Sequence, residues 1–237
     1  MPRRDDIESI MVLGSGPIKI GQAAEFDFSG SQAVRALRED GYKVILVNSN
    51  PATIQNDPEM ADVVYIEPLL PDTVAKILEK ERPCALLAGM GGQTALNIAS
   101  ELSHNGTLER LGVELIGSDL DAIDKAEDRE LFNQVCESIN LPISQAVACN
   151  SIDEVIAAAK LIGSWPLLIR PAFTLGGLGG GTARDIGELV EISQLGLRNS
   201  RISQVLIEES ILGWQELEYE VMRDEADNAT IVCTMEN

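Results

Sequence analysis

A glycine-dense segment directly follows a short apolar run in this sequence. Five of the six residues from 176 to 181 are glycine. Ordering so many glycines costs conformational entropy, so a plain connector is rarely built in this way. The amide groups of such a loop can fold over a polyphosphate, and Arg170, at the end of the preceding run, can place its guanidinium on phosphate oxygens. The composition therefore favours a phosphate-binding loop over a flexible linker.

An earlier glycine cluster, formed by Gly14, Gly16 and Gly21, follows the first apolar run. The dinucleotide-binding fingerprint would need its third glycine two positions earlier, and it would need an acidic residue where the sequence has Asn48-Ser49-Asn50. The phosphate loop of nucleoside triphosphatases also fails, because Gln22-Ala23 stands where lysine and serine or threonine are required. Tight-turn packing is therefore favoured over an NAD site.

Three further features could contribute to a ligand site. Residues 90–94 follow the fourth apolar run and could complete a crevice or form a structural turn. Residues 206–216 combine an extended run with acidic residues, so main-chain groups could meet an adenine edge and a carboxylate could meet ribose hydroxyls. A charged strand border explains residues 206–216 slightly better on their own. For Arg129, a phosphate contact and a surface salt bridge are equally supported.

The elements that must position these residues alternate along the first half of the chain. Short apolar runs bounded by turn residues predict buried strands, and patterns between them predict helices, which together indicate a parallel sheet. A second unit begins near residues 120–130. Strands are predicted at 10–13, 44–47, 63–66, 85–88, 113–116, 166–170, 204–208, 217–223 and 230–235, and helices at 31–39, 74–80, 94–102, 129–139, 153–161 and 186–195.

Composition excludes several classes of protein. The 237 residues carry a net charge of −20, which argues against duplex nucleic acid or an anionic membrane as the main partner. The four cysteines lack CxxC spacing and His104 is the single histidine, so we expect reduced, structural cysteines and no zinc site. The first residues of the sequence lack the apolar region of a signal peptide, and no run approaches the about 18 apolar residues of a membrane span. We expect a soluble, cytoplasmic protein.

Taken together, these segments resemble the large subunit of carbamoyl-phosphate synthetase, at the start of its N-terminal, carboxyphosphate-forming half. The resemblance covers essentially the whole chain, and joint matches of this length are very unlikely to arise by chance. The blocks that carry it are Gly14-Ser15-Gly16-Pro17-Ile18-Lys19-Ile20-Gly21-Gln22-Ala23-Ala24-Glu25-Phe26-Asp27, Val47-Asn48-Ser49-Asn50-Pro51-Ala52-Thr53, Met90-Gly91-Gly92-Gln93-Thr94-Ala95-Leu96-Asn97, Asp124-Lys125-Ala126-Glu127-Asp128-Arg129 and Arg170-Pro171-Ala172-Phe173-Thr174-Leu175-Gly176-Gly177.

The resemblance implies an α/β fold, with a Rossmann-like pre-ATP-grasp parallel sheet followed by an incomplete ATP-grasp domain. The expected domains are a pre-ATP-grasp domain at 1–125, a first ATP-grasp subdomain at 126–205, and the start of a second subdomain at 206–237. The family's pattern continues past Asn237 into a Gly-Val-His segment and then the Gln, Glu and Asn ligands of magnesium or manganese. We therefore expect a truncated chain with no assignable catalytic residue and no metal ligand.

The resemblance also implies a function for the intact protein, an ATP-dependent carbon-nitrogen ligase. In the family, this half uses ATP to phosphorylate bicarbonate to carboxyphosphate, and ammonia from a glutaminase small subunit converts that to carbamate. The second half phosphorylates carbamate to carbamoyl phosphate, for arginine and pyrimidine biosynthesis. Mg²⁺ or Mn²⁺ and an oligomeric assembly are expected when the protein is intact. A non-catalytic module that docks to the rest of the complex is the alternative for these 237 residues.

The family's ATP-binding residues can be carried over position by position. The resemblance favours function over a surface ion pair for Arg129. It implies that phosphates are contacted by Arg129 and Arg170 and covered by Gly176 and Gly177, that adenine is bordered by Glu209 and Ile211, and that ribose is held by Glu216.

Overall fold

The computed structural model describes residues 3–16, 23–172, 179–200, 202–224 and 226–236. The chain divides into two compact units, Met1–Val135 and Cys136–Asn237. In chain order the elements are β1 Ser9–Leu13, α1 Ala23–Glu39, β2 Lys43–Val47, β3 Val63–Tyr65, α2 Pro71–Glu81, β4 Ala85–Leu87, α3 Gly92–His104, α4 Thr107–Leu111, β5 Glu114–Ile116, α5 Leu120–Glu127, α6 Arg129–Ser138, β6 Ala146–Cys149, α7 Ile152–Ile162, β7 Leu167–Pro171, β8 Gly181–Ala183, α8 Ile186–Asn199, β9 Val205–Glu209, β10 Leu217–Arg223 and β11 Ala229–Glu236.

The first unit is built around a parallel sheet with the strand order β3-β2-β1-β4-β5. The central strand β1 is buried on both faces, because Met11 and Leu13 join one core cluster and Ile10 and Val12 join another. Strands covered on both sides are read as continuous apolar runs, which is why the sequence revealed them. The predicted strand and helix alternation is confirmed.

Glycines at the carboxyl edge of this sheet allow close backbone packing. A Cβ atom on Gly14 would lie 2.4 Å from Nδ2 of Asn48, and one on Gly91 would lie 2.5 Å from the carbonyl oxygen of Leu13. Such distances are below any normal contact, so both positions require a residue without a side chain. This supports the tight-packing interpretation for Gly14, and it favours a structural turn for residues 90–94. Gly21 lies outside the described residues.

Buried amide side chains join β2 to α1 at the same edge. Asn48 Nδ2 donates to Gln55 Oε1 at 3.1 Å, and Gln55 Nε2 donates to the carbonyl oxygen of Phe26 in α1 at 2.9 Å. Both amide side chains belong to fully buried residues. Because buried polar groups need partners, this chain of bonds holds the end of β2 against the first turns of α1. The neutral asparagine at this position is thus a structural group.

The second unit contains an antiparallel sheet with the strand order β6-β9-β7-β8. One face carries Leu167, Ile169 and Ile207, which are buried in a core with residues of α7 and α8. The opposite face carries side chains that are half-buried or exposed, and we call it the open face. Its members are Ala146, Ala148, Leu168, Arg170, Thr182, Leu206 and Glu208.

A hairpin of β10 and β11 follows, with a bulge after Glu220. The predicted strand pair is confirmed, and Asp224 stabilises the turn between the two strands by accepting a hydrogen bond from the backbone amide of Asn228 at 2.8 Å. Every residue of both strands is exposed. The exposed residues include the apolar side chains of Tyr219, Val221 and Ile231.

Candidate functional site

Arg170 lies on the open face, at the carboxyl end of β7. Its side chain is 58% exposed, and its Nε atom lies 2.7 Å from Oε2 of Glu208, whose side chain is only 13% exposed. The strand remains paired as far as Ala172, whose amide donates to the carbonyl oxygen of Gln204 at 2.9 Å. A cation is therefore held on a rigid strand immediately before the predicted phosphate-binding loop.

Not all of the predicted site residues fall within the described part of the chain. Arg129 is the first residue of α6, but its side chain lies outside the described part, as do Gly176 and Gly177. Glu209 is the last residue of β9 and is half-buried. Ile211 and Glu216 lie in the connection from β9 to β10, and both are exposed.

The antiparallel pairing of β7 with β9 separates the two predicted ends of the nucleotide. Arg170 is paired with Leu206, and Glu209 is paired with Leu167, three residue pairs further along the ladder. At the usual rise of a strand, three residues span on the order of 10 Å. The predicted phosphate contact and the predicted adenine contact therefore lie at opposite ends of one short ladder.

Some main-chain groups at the predicted adenine end already form hydrogen bonds within the protein. The amide of Glu209 donates to the carbonyl oxygen of Gln145 at 2.8 Å, and the carbonyl oxygen of Ile211 accepts from the amide of Trp214 at 3.0 Å. The amide of Ile211 has no hydrogen-bond partner within the described ranges. A planar base with an acceptor on its edge could use that amide.

No cysteine forms a disulfide bond within the described chain. All four are free. Burial raises the pKa of the Cys149 thiol to about 11, and the charge of Glu154 acts in the same direction. A thiol that is neutral near pH 7 is a poor nucleophile and a poor metal ligand.

The described residues also contain no group of three His, Cys, Asp or Glu side chains placed to hold a metal ion. No described helix is long and apolar enough to cross a membrane.

Glu208 is the residue of this site that sequence reasoning did not assign a role. Its place in an acidic pair at the end of an apolar run was visible, but its contact with Arg170 depends on how β7 and β9 are paired. Strand register between segments more than thirty residues apart cannot be read from apolar patterning alone. The only signal available was that both residues belong to the outward-facing set of their strands.

Two family models together match almost the whole chain. The first, described as the carbamoyl phosphate synthase preATP-grasp domain, matches residues 6–125. The second, described as the carbamoyl-phosphate synthase L chain, ATP binding domain, matches residues 128–237.

Curated relatives carry the same name. The chain is 60% identical to the carbamoyl phosphate synthase large chain of Archaeoglobus fulgidus, 58% identical to that of a Nostoc species and 57% identical to that of Methanothrix thermoacetophila. Each match includes 100% of this chain and 22% of the relative. The chain thus spans about a fifth of the length of these relatives.

Solved structures share the fold at low sequence identity. The biotin carboxylase domain of Hydrogenobacter thermophilus 2-oxoglutarate carboxylase, solved with MgADP, ADP and bicarbonate, matches with a TM-score of 0.73 and 17% identity. The biotin carboxylase of Campylobacter jejuni, solved as a β,γ-ATP complex, matches with a TM-score of 0.72 and 18% identity. In both cases 97% of this chain covers about half of the solved chain. The predicted fold class is confirmed.

Proposed function

This chain belongs to the carbamoyl phosphate synthase large-chain family, and from that membership we propose that it forms the ATP-binding part of the site where bicarbonate becomes carboxyphosphate. In the reaction, the terminal phosphoryl group of ATP moves to a bicarbonate oxygen and ADP leaves. Catalysis of such a transfer depends on positioning the reactants and on stabilising the charge of the phosphates.

The observation that carries this proposal is the position of Arg170. It stands on the open face where β7 ends, directly before the glycine-dense segment, and β9 leads away to Glu209 at the other end of the ladder. A guanidinium presents donors in a fixed fork that matches phosphate oxygens. We therefore assign the phosphates to the Arg170 end and the base to the Glu209 end.

The remaining site residues extend the same assignment. We propose that Arg129 and the amides of Gly176 and Gly177 contact the phosphates, that Ile211 borders the base with Glu209, and that Glu216 accepts from the ribose hydroxyls. We assign residues 1–125 to the pre-ATP-grasp domain, 126–205 to the first ATP-grasp subdomain and 206–237 to the start of the second.

The complete enzyme requires more than this chain. A divalent ion, Mg²⁺ or Mn²⁺, would neutralise charge between the phosphates, but the described residues contain no cluster of ligands that fits it. We propose that its ligands belong to other parts of the full-length protein. From the same family membership we propose that the full-length enzyme takes ammonia from a glutaminase small subunit and carries out a second phosphorylation. We also propose that it forms an oligomeric assembly in the cytoplasm and serves arginine and pyrimidine synthesis.

Calorimetric titration with ATP and magnesium tests the nucleotide assignment. Arg170→Ala should weaken ATP binding about tenfold, the usual consequence of losing one charge-assisted hydrogen bond or ion pair. Arg110→Ala is a matched control, because the Arg110 side chain is 59% exposed and is paired with Glu79 at 2.9 Å. Equal affinity of the wild-type chain and Arg170→Ala would show that Arg170 does not hold the phosphates.

The chain alone should make no measurable carbamoyl phosphate, because its described residues hold no cluster of ligands for the metal ion on which phosphoryl transfer depends. A radiochemical assay with bicarbonate, ammonia and ATP measures this directly. Robust bicarbonate-dependent ATP hydrolysis by these 237 residues would refute the expectation.

A docking or assembly module remains the second candidate, and the hairpin favours it. Tyr219, Val221 and Ile231 are each more than half exposed, and a cluster of exposed apolar side chains is typical of a surface that contacts protein. The ATP titration separates the two candidates, since a pure docking module would not bind ATP.

A further inference from the structure

Glu208 combines a charge with a largely buried position. Its side chain is 13% exposed, although it belongs to the open face of the sheet. A carboxylate that loses most of its hydration needs a partner of opposite charge or a set of hydrogen-bond donors. Oε2 of Glu208 lies 2.7 Å from Nε of Arg170, which is the length of a charge-assisted hydrogen bond.

The strand pairing places these two side chains together. Glu208 is paired with Leu168, and Arg170 follows two positions later on β7, opposite Leu206. Because side chains alternate between faces along a strand, Leu168 and Arg170 share the open face with Glu208. Arg170 is therefore a diagonal neighbour of Glu208, at a separation that long side chains can span.

Because Glu208 contacts the Nε atom of Arg170, the other hydrogen-bonding edge of the guanidinium stays available for a ligand. A guanidinium offers two edges for paired hydrogen bonds, one that includes Nε and one formed by the two Nη atoms. A carboxylate at Nε engages the inner edge, near the backbone. The outer edge then faces away from Glu208, on a side chain that is 58% exposed.

We propose that Glu208 is a positioning residue that holds the guanidinium of Arg170 ready for a phosphate group of the nucleotide. This inference rests on the proposed function, in which Arg170 contacts ATP. An arginine already fixed in its bound orientation loses less freedom when the ligand binds, so affinity rises without any new contact. Glu208 itself touches no phosphate.

Charge repulsion acts against this effect. A carboxylate beside a phosphate site lowers the local positive potential and so disfavours an anionic ligand. Replacing Glu208 therefore has opposite consequences under the two effects. Removal of a positioning residue weakens ATP binding, whereas removal of a merely repulsive charge strengthens it.

Calorimetric titrations of the chain with ATP and with adenosine measure which effect dominates. Glu208→Leu should weaken ATP binding about tenfold, comparable to the loss of a charge-assisted hydrogen bond. Glu208→Gln should fall between the wild-type chain and Glu208→Leu, because the amide oxygen still accepts from Nε. Affinity for adenosine, which has no phosphate, should stay unchanged in both variants. Glu79→Gln, which alters an exposed pair with Arg110, should leave both affinities unchanged.

Each contrary result has one meaning. ATP affinity that is equal or higher in both Glu208 variants overturns the positioning role, and so does an equal loss for ATP and adenosine, which indicates a structural role. Urea unfolding shows whether Glu208→Leu folds, and Glu208→Gln carries the test if it does not. If Arg170→Ala weakens ATP binding but the Glu208 variants do not, only this inference fails. If Arg170→Ala also has no effect, the nucleotide assignment itself fails.

Discussion

The carboxyl edge of the parallel sheet and the open face of the antiparallel sheet use polar residues in opposite ways. At the edge, the amides of Asn48 and Gln55 are fully buried and bond to each other and to the backbone of α1. On the open face, Arg170 keeps most of its side chain in solvent and contacts the carboxylate of Glu208. A polar group stabilises a fold when its partners are internal, and it is available to a ligand when part of it stays exposed. Mutations at the edge should therefore lower the free energy of unfolding, whereas mutations on the open face should lower the affinity for a ligand.

The largest effect should come from the packed edge. Gly91→Ala places a Cβ atom 2.5 Å from the carbonyl oxygen of Leu13 and 2.7 Å from that of Gly14, and backbone cannot move away as a side chain could. We expect a loss of about 3 kcal/mol in the free energy of unfolding, from overpacking. Urea denaturation measures this. Gly89→Ala, with no atom within 4 Å of its Cβ position, is the control, and an equal loss in both variants would contradict the packing argument.

A somewhat smaller loss should follow when the amide chain is broken. Gln55→Leu removes the acceptor of Asn48 Nδ2 and one of the donors to the carbonyl oxygen of Phe26, and an unpaired buried group costs about 2 kcal/mol. Denaturation measures the loss, and calorimetry should show unchanged ATP affinity. Gln93→Leu removes an exposed side-chain bond to Asn97 and should be close to neutral. If Gln55→Leu were equally neutral, the edge would not be held by these amides.

A mutation on the open face should affect ATP affinity more than stability. Arg170→Ala should lower the free energy of unfolding by about 1 kcal/mol, because the largely buried carboxylate of Glu208 loses its cation, while removal of the exposed arginine side chain lets water reach that carboxylate. The same variant should lose ATP affinity, so binding and stability separate at this residue. A large loss of stability with unchanged ATP binding would place Arg170 in the same structural class as Gln55.

The smallest effect concerns Cys149, which is buried in the core on the other face of the antiparallel sheet. Burial raises the pKa of the Cys149 thiol to about 11, so at pH 8 almost none of it is the reactive thiolate. Iodoacetamide should label the exposed Cys233 and leave Cys149 unmodified, as peptide mass mapping would show. Labelling of both cysteines at similar rates would mean that the core behind the open face opens readily.

The comparison also explains which strands and helices could be predicted from the sequence. The strands of the parallel sheet were predicted to within one or two residues, because burial on both faces produces unbroken apolar runs. The first helix was predicted from residue 31, but α1 begins at Ala23. Gly30 and the serines beside it interrupt the apolar pattern. Gly30 is there because a Cβ would lie 2.6 Å from Nε2 of Gln55, a tertiary contact that local sequence does not reveal.

In the second unit, patterning found β7 and β9 but missed β6 and β8. Residues 181–183 have only three positions and begin with a glycine of the glycine-dense segment, so neither alternation nor β-propensity marks them. Arg170 could be proposed from its place beside the glycines. Its partner Glu208 could not, because a contact between strands requires their register.

The ladder between β7 and β9 has a consequence for selectivity. When the two ends of a ligand are held at opposite ends of a rigid ladder, the ladder discriminates by molecular length as well as by chemistry. Under the assignment proposed above, adenosine would reach only the Glu209 end and inorganic phosphate only the Arg170 end, so neither of them alone would gain both sets of contacts.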